Sequence, residues 1–192
     1  MKKTLASVVV MLIAYSSFGQ KEALFENGTN VVNLGIGLGD FYFGSGYSGA
    51  PISFQASYDR GVTSKLGIGY IGAGGIISYI SRTYKYGDGV NTYKYKNSGL
   101  LIGARATYHF SIEGEIAEKL DPYAGVMLGY VVTSSSNDVP SGTSVSYSAK
   151  GGAVGAGAFA GARYYFTPNF GVHAEVGYNI ISVLNTGVTI RF

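Results

Sequence analysis

The chain has 192 residues, with 14 Lys plus Arg against 11 Asp plus Glu for a net charge of +3, and its 13 % charged residues are about half the usual share. With 46 % apolar residues, 30 Gly and 17 Tyr, it is too hydrophobic for intrinsic disorder, and its few cations are too scattered for a nucleic-acid footprint. The absence of Cys excludes a disulfide framework, a thiolate metal site, a Cys nucleophile and a lipidated N-terminal Cys.

Residues 1–20 place Lys2 and Lys3 ahead of an apolar run from Leu5 to Tyr15, with the small residues Ser17 and Gly19 following. This pattern predicts a secretory signal peptide, cleaved after Gly19 or Gln20, ahead of one domain over 21–192. The apolar run is shorter than the ~20 residues of a spanning helix, and no later stretch is long and apolar enough to supply one.

From Val31 onward, apolar residues alternate with polar ones or Gly, a period of two that predicts strands. The segments are 31–41, 51–60, 65–81, 92–110, 122–133, 145–166, 170–179 and 184–192. Gly, Asn, Asp, Ser and Pro separate them, as does the acidic segment 111–121, read as a solvated turn with a short helical piece. In the seventh segment Phe170, Val172, Ala174, Val176 and Tyr178 share one face, and Gly171, His173, Glu175, Gly177 and Asn179 the other. The fourth sets Leu100, Ile102, Ala104, Ala106 and Tyr108 against Leu101, Gly103, Arg105, Thr107 and His109.

A polar face opposite an apolar one fits a sheet wetted on one side or a barrel facing lipid. Three features favour lipid. Charges within the strands (Asp59, Arg105, Arg163, Glu175, Arg191) keep to the polar face. Aromatic residues gather at the ends of the apolar face, with Tyr58, Tyr108, Phe110, Tyr164, Phe166, Phe170 and Phe192 at one rim and Tyr79, Tyr130 and Tyr178 at the other. The strand lengths suit the ~9–11 residues that cross a hydrocarbon core when tilted. A sheet in lipid must close on itself, because an unpaired edge leaves orphan backbone groups. The expectation is therefore an all-β, eight-stranded, antiparallel, up-and-down transmembrane β-barrel. Its external loops are 42–50, 82–91, 134–144 and 180–183, and its internal turns 61–64, 111–121 and 167–169.

The last eight residues, Asn185-Thr186-Gly187-Val188-Thr189-Ile190-Arg191-Phe192, resemble the C-terminal assembly signal of bacterial outer-membrane proteins, matching at Asn185, Gly187, Ile190 and Phe192. Together with the alternating strands they make the chain similar to small outer-membrane barrels of the OmpA and OmpX type. The resemblance implies placement in the cell outer membrane after export, contact with its lipid and lipopolysaccharide, recognition of the last strand by the barrel assembly machinery, and a monomer that binds no nucleic acid.

The expected lumen holds a polar network of Asp59, Arg105, His109, Arg163, His173, Glu175 and Arg191, with Asn33, Gln55 and Tyr165 beside it. An eight-stranded barrel is just wide enough for side chains to fill, so these charges are expected to pair with one another. A narrow polar path for water or ions is the alternative, and with it a small pore or transporter. A soluble secreted barrel, with its apolar face turned inward around a ligand, is a third arrangement. Some barrels of this architecture modify lipid A with Ser, His and an acid. Here no Ser is singled out beside His173–Glu175 or His109, so a non-enzymatic structural or surface-interaction role is expected. No cofactor or metal is expected, since the two His lie on different strands and the glycine strings precede no helix. Tyr84, Lys85, Tyr86, Tyr93, Lys94, Tyr95 and Lys96 suit a headgroup zone at an external tip.

Overall fold

The computed structural model describes residues 23–39, 52–87, 92–138 and 148–192. The proposed signal peptide, the loop 42–50 and the hairpin tips 88–91 and 139–147 lie outside the described residues. Eight strands run in chain order, β1 Asn30–Leu38, β2 Ile52–Gly61, β3 Gly69–Gly87, β4 Thr92–Phe110, β5 Leu120–Asp138, β6 Ser148–Tyr165, β7 Phe170–Tyr178 and β8 Leu184–Arg191. Each pairs antiparallel with the next, and β1 pairs with β8 from Val31↔Arg191 to Leu38↔Leu184, closing the ring. Closure removes the free edges that would otherwise leave backbone groups unpaired.

Alternation dictates which way each side chain points. Along β7 every residue of the Phe170, Val172, Ala174, Val176 set is exposed, and Gly171, His173 and Glu175 are buried. In β2, Ser53, Gln55, Ser57 and Asp59 are buried, whereas Ile52, Phe54 and Tyr58 face out.

The ends depart from the sequence reading. Residues 65–68 are a turn, in which Gly67 (φ 61) and the Leu66↔Gly69 bridge reverse the chain. Segments read as external loops, 82–87 and 134–138, continue as strand: Thr83, Tyr84 and Tyr86 favour extended backbone in the first, and 134–138, which is Ser, Asn and Asp, is carried by its ladder to Lys94–Ser98 on β4. As a result β3, β4 and β5 have 19 residues each, roughly 60 Å at ~3.3 Å per residue. The β2–β3 ladder stops at Ser53↔Ile80 and the β6–β7 ladder at Ala158↔Tyr178, so β3–β6 rise past their neighbours as a four-stranded sheet at the end opposite the β1 start. The β7–β8 connection, read as an external loop, folds inward, with Asn179, Ile180, Ile181 and Ser182 all buried. Ile180 adopts φ 64, a conformation that β-branched residues avoid, and its burial together with Ile181 in the far half of the lumen holds it there.

Inward glycines let the wall curve tightly. A Cβ on Gly74 would lie 1.7 Å from the Tyr58 carbonyl oxygen, whereas one on the outward-facing Gly75 would meet nothing nearer than 3.4 Å. Gly74→Val is therefore expected to destabilise the folded barrel by the ~1–3 kcal/mol typical of overpacking, read as a lower urea midpoint, and Gly75→Val to leave the midpoint nearly unchanged. Equal midpoints for the two variants would contradict the tight approach at Gly74.

Candidate functional site

Inward positions of six strands converge in the half of the lumen nearer the β1 start. Arg105 on β4 reaches across to Asp59 on β2 (Nε to Oδ1, 2.9 Å) and to Glu175 on β7 (Nη2 to Oε1, 2.6 Å). Arg163 on β6 pairs with Asp59 and, through Nη1 at 3.1 Å, with Asp121 on β5. Its Nε also donates to Asn33 Oδ1 at 3.3 Å, and Asn33 in turn donates to Ser57 Oγ at 3.1 Å. Tyr123 donates its hydroxyl hydrogen to Glu175 Oε1 at 2.8 Å. Both arginine heads lie over aromatic rings, Arg105 4.4 Å from the centre of Phe159 and Arg163 4.4 Å from that of Tyr123. Each charge thereby faces an opposite one, which offsets the penalty a low-dielectric interior imposes, although Arg105 Nη1 and Glu175 Oε2 have no hydrogen-bond partner among the described residues.

His109 Nδ1 lies 2.8 Å from Asp121 Oδ1 and Nε2 lies 2.9 Å from Thr107 Oγ1. Two anticipated members stand apart from the ion pairs. His173 faces the lumen with Nδ1 at 3.2 Å from the Val188 carbonyl, and bonds to no carboxylate. Arg191 sits at the mouth, donating to the carbonyls of Pro168 (2.9 Å) and Leu24 (2.8 Å) and lying over Tyr165. Its place at the strand end carries it past the carboxylates.

Asp121 corrects the reading of 111–121 as a solvated turn. Glu113, Glu115 and Glu118 are exposed around a short 3₁₀ helix, Glu115–Glu118, but Asp121 is only 4 % exposed and belongs to β5. It shares its parity with Tyr123 and Met127, and that count would have revealed it. The lumen is also divided. Its far half is packed by Ile76, Ile80, Leu101, Met127, Val131, Phe159, Ile180 and Ile181, an apolar core on the β3–β6 side.

The outside inverts this arrangement. Val126, Leu128, Val154 and Val176 are 57–70 % exposed. Tyr58, Phe110, Tyr164, Phe170 and Phe192 ring one end, and Tyr79, Tyr130 and Tyr178 the other. Among the described residues no charge faces outward between Arg60 at one end and Lys96 and Lys150 at the other. An uncharged belt between two aromatic girdles is the surface a bilayer requires. Of the terminal motif, Asn185 points inward and accepts from Ser182 Oγ at 2.6 Å, Gly187 sits against the backbone of Leu34 and Gly35, Ile190 pairs with Val32 and Phe170, and Phe192 closes the girdle.

Solved structures with a similar fold include the attachment invasion locus protein Ail of Yersinia pestis (16 % identity, TM-score 0.44, 86 % of this chain and 99 % of that one). The N-terminal barrel domain of Pseudomonas aeruginosa OprF aligns at 21 % identity with a TM-score of 0.46, over 87 % of this chain and 98 % of that one. Neisserial surface protein A aligns at 18 % and 0.37, over 85 % of this chain and 96 % of that one. No curated protein matches at the sequence level. The model of the family described as Opacity family porin protein matches residues 78–190, more than half of the sequence. The eight-stranded ring, its uncharged outer belt and this match together establish that the chain belongs to the Opacity family of porins, small β-barrels of the bacterial outer membrane.

Proposed function

We propose that the chain is a closed outer-membrane barrel with a structural or surface-interaction role, exported by a cleaved leader within residues 1–20, monomeric, and inserted through its last strand, with Asn185, Gly187, Ile190 and Phe192 read by the assembly machinery. The observation that carries this reading is the interior. Arg105 and Arg163 bind Asp59, Asp121 and Glu175 directly across the lumen, and the far half is filled by Ile, Leu, Met, Val and Phe side chains. No ion enters such a space without breaking these pairs. Outside, the sheet of β3–β6 that rises past the other strands offers Lys94, Lys96 and Lys150 beside exposed Tyr84 and Tyr95, suited to anionic lipopolysaccharide heads.

Purified full-length barrel in planar bilayers is expected to give no steady conductance at neutral pH and moderate voltage, and reproducible channel steps would overturn the closed reading. A small pore for water or polar solutes is the second reading. It draws on Ser53, Gln55 and Ser78, whose buried Oγ, Nε2 and Oγ atoms have no partner among the described residues and give one wall of the far lumen a polar lining.

A further inference from the structure

The network has a lid that belongs to no strand. Phe25 precedes β1, yet it is 2 % exposed, with its ring stacked on His109 at 3.5 Å and 10° and 5.8 Å from the Arg163 head. Room for it is made on β3, where a Cβ on Gly72 would come within 2.9 Å of Phe25 Cζ. The segment around it is tied to the mouth on several sides. Arg191 Nη1 holds the Leu24 carbonyl at 2.8 Å. Gly28 N–H donates to the Gly61 carbonyl and Gly61 N–H to the Thr29 carbonyl, each at 2.9 Å. Glu26 N–H donates to Thr29 Oγ1 at 3.1 Å, and Gly28 turns the chain at φ 91. Around it opens a vestibule of about 1190 Å³, lined by Lys65, Tyr70, Lys119 and Tyr165 among others, with His109 and Asp121 at its floor, only 1 % and 4 % exposed beside Phe25.

We infer that residues 23–29 form a strap that seats Phe25 as a stopper over His109, sealing the ion-pair network from the vestibule at the end where the barrel begins and finishes. The strap touches β2 at Gly61, β3 at Gly72, β4 at His109, β6 at Arg163 and β8 at Arg191, so its full seat exists only once the ring is closed. It therefore docks last and works as a latch on the finished barrel. An aromatic ring suits the place because it covers the imidazole face without demanding a hydrogen bond and presents its π-face to the nearby guanidinium. The inference concerns sealing at one end and holds whether or not the far half of the lumen admits water.

The test is acylation of histidine by diethyl pyrocarbonate on the folded full-length protein, with each site followed by peptide mass spectrometry. His109 of the wild type is expected to react slowly, and Phe25→Ala to raise its rate about tenfold or more by opening a local path that needs no unfolding. His173, also buried in the lumen but not stacked on Phe25, is expected to stay slow in both and so reports that the barrel is intact. Arg191→Gln leaves Phe25 in place and releases Leu24, and it is expected to raise the His109 rate by a smaller factor. This variant decides the matter if Phe25→Ala fails to fold. Equal His109 rates in the wild type and the folded variants would overturn the inference. Bilayer conductance is a separate readout, so failure of the closed-barrel reading would not be mistaken for failure of the stopper.

Discussion

Arg163→Ala is expected to be the most destabilising single substitution in this barrel. The side chain is fully buried and joins Asp59 on β2, Asp121 on β5 and Asn33 on β1. Its loss leaves Asp59 with Arg105 alone and Asp121 with His109 alone, both deep in the wall. Removing one partner of a buried pair typically costs ~3–5 kcal/mol, because the remaining charge stays in place without compensation. A small barrel of ordinary stability loses much of its margin at that level. Urea unfolding in lipid vesicles, followed by the heat-modifiable gel shift of folded barrels, measures it. The double variant Arg163→Ala with Asp121→Asn is expected to recover part of the loss by removing one stranded charge. An Arg163→Ala barrel as stable as the wild type would mean that the network is ornamental.

The second large effect lies on the other face of the wall. Val126 on β5 is 59 % exposed and sits within the belt between the girdles, two residues from Ala124, which pairs with Tyr108, and four from Tyr130. Val126→Arg is expected to cost about 2–4 kcal/mol in a bilayer, the penalty for Arg near the midplane of a transmembrane barrel. The same substitution at an exposed position of a water-soluble barrel changes stability by less than ~0.5 kcal/mol. Vesicle refolding with Val126→Arg therefore separates lipid contact from aqueous exposure at this surface. Lys96→Arg, beyond the outer rim, serves as a neutral control.

Much of the architecture was legible because a barrel wall is the simplest periodic object a chain can make. His173 and Glu175 in β7, or Arg105 and His109 in β4, reveal their direction by parity alone, whatever the rest of the chain does. What escaped lies where parity is hidden. Asp121 follows three exposed glutamates and precedes Pro122, so composition there signals a turn. Its direction becomes visible only when counted back from Tyr123. Phe25 belongs to no alternating segment, and its burial depends on Gly72, Arg163 and His109 meeting at the mouth. Ile180 and Ile181 turn inward because the apolar side of the lumen is unfilled above Phe159, a vacancy that exists only after closure. The full length of β4, 92–110, is read from the sequence, but the tall ends of β3 and β5 past residues 81 and 133 are not, because polar strands outside a core carry no hydrophobic period.

The spread of the ion pairs along the chain bears on how the barrel enters a membrane. Arg105 and Glu175 are separated by 70 positions, Arg163 and Asp59 by 104. No single hairpin contains either pair. Arg163 meets Asp121 within the β5–β6 hairpin, but a barrel assembled one hairpin at a time would bring Asp59, Arg105 or Glu175 in before its partners arrived, an unpaired charge in hydrocarbon. Insertion concerted with closure would avoid those stranded charges, and contacts this distant in sequence are expected to make spontaneous folding slow.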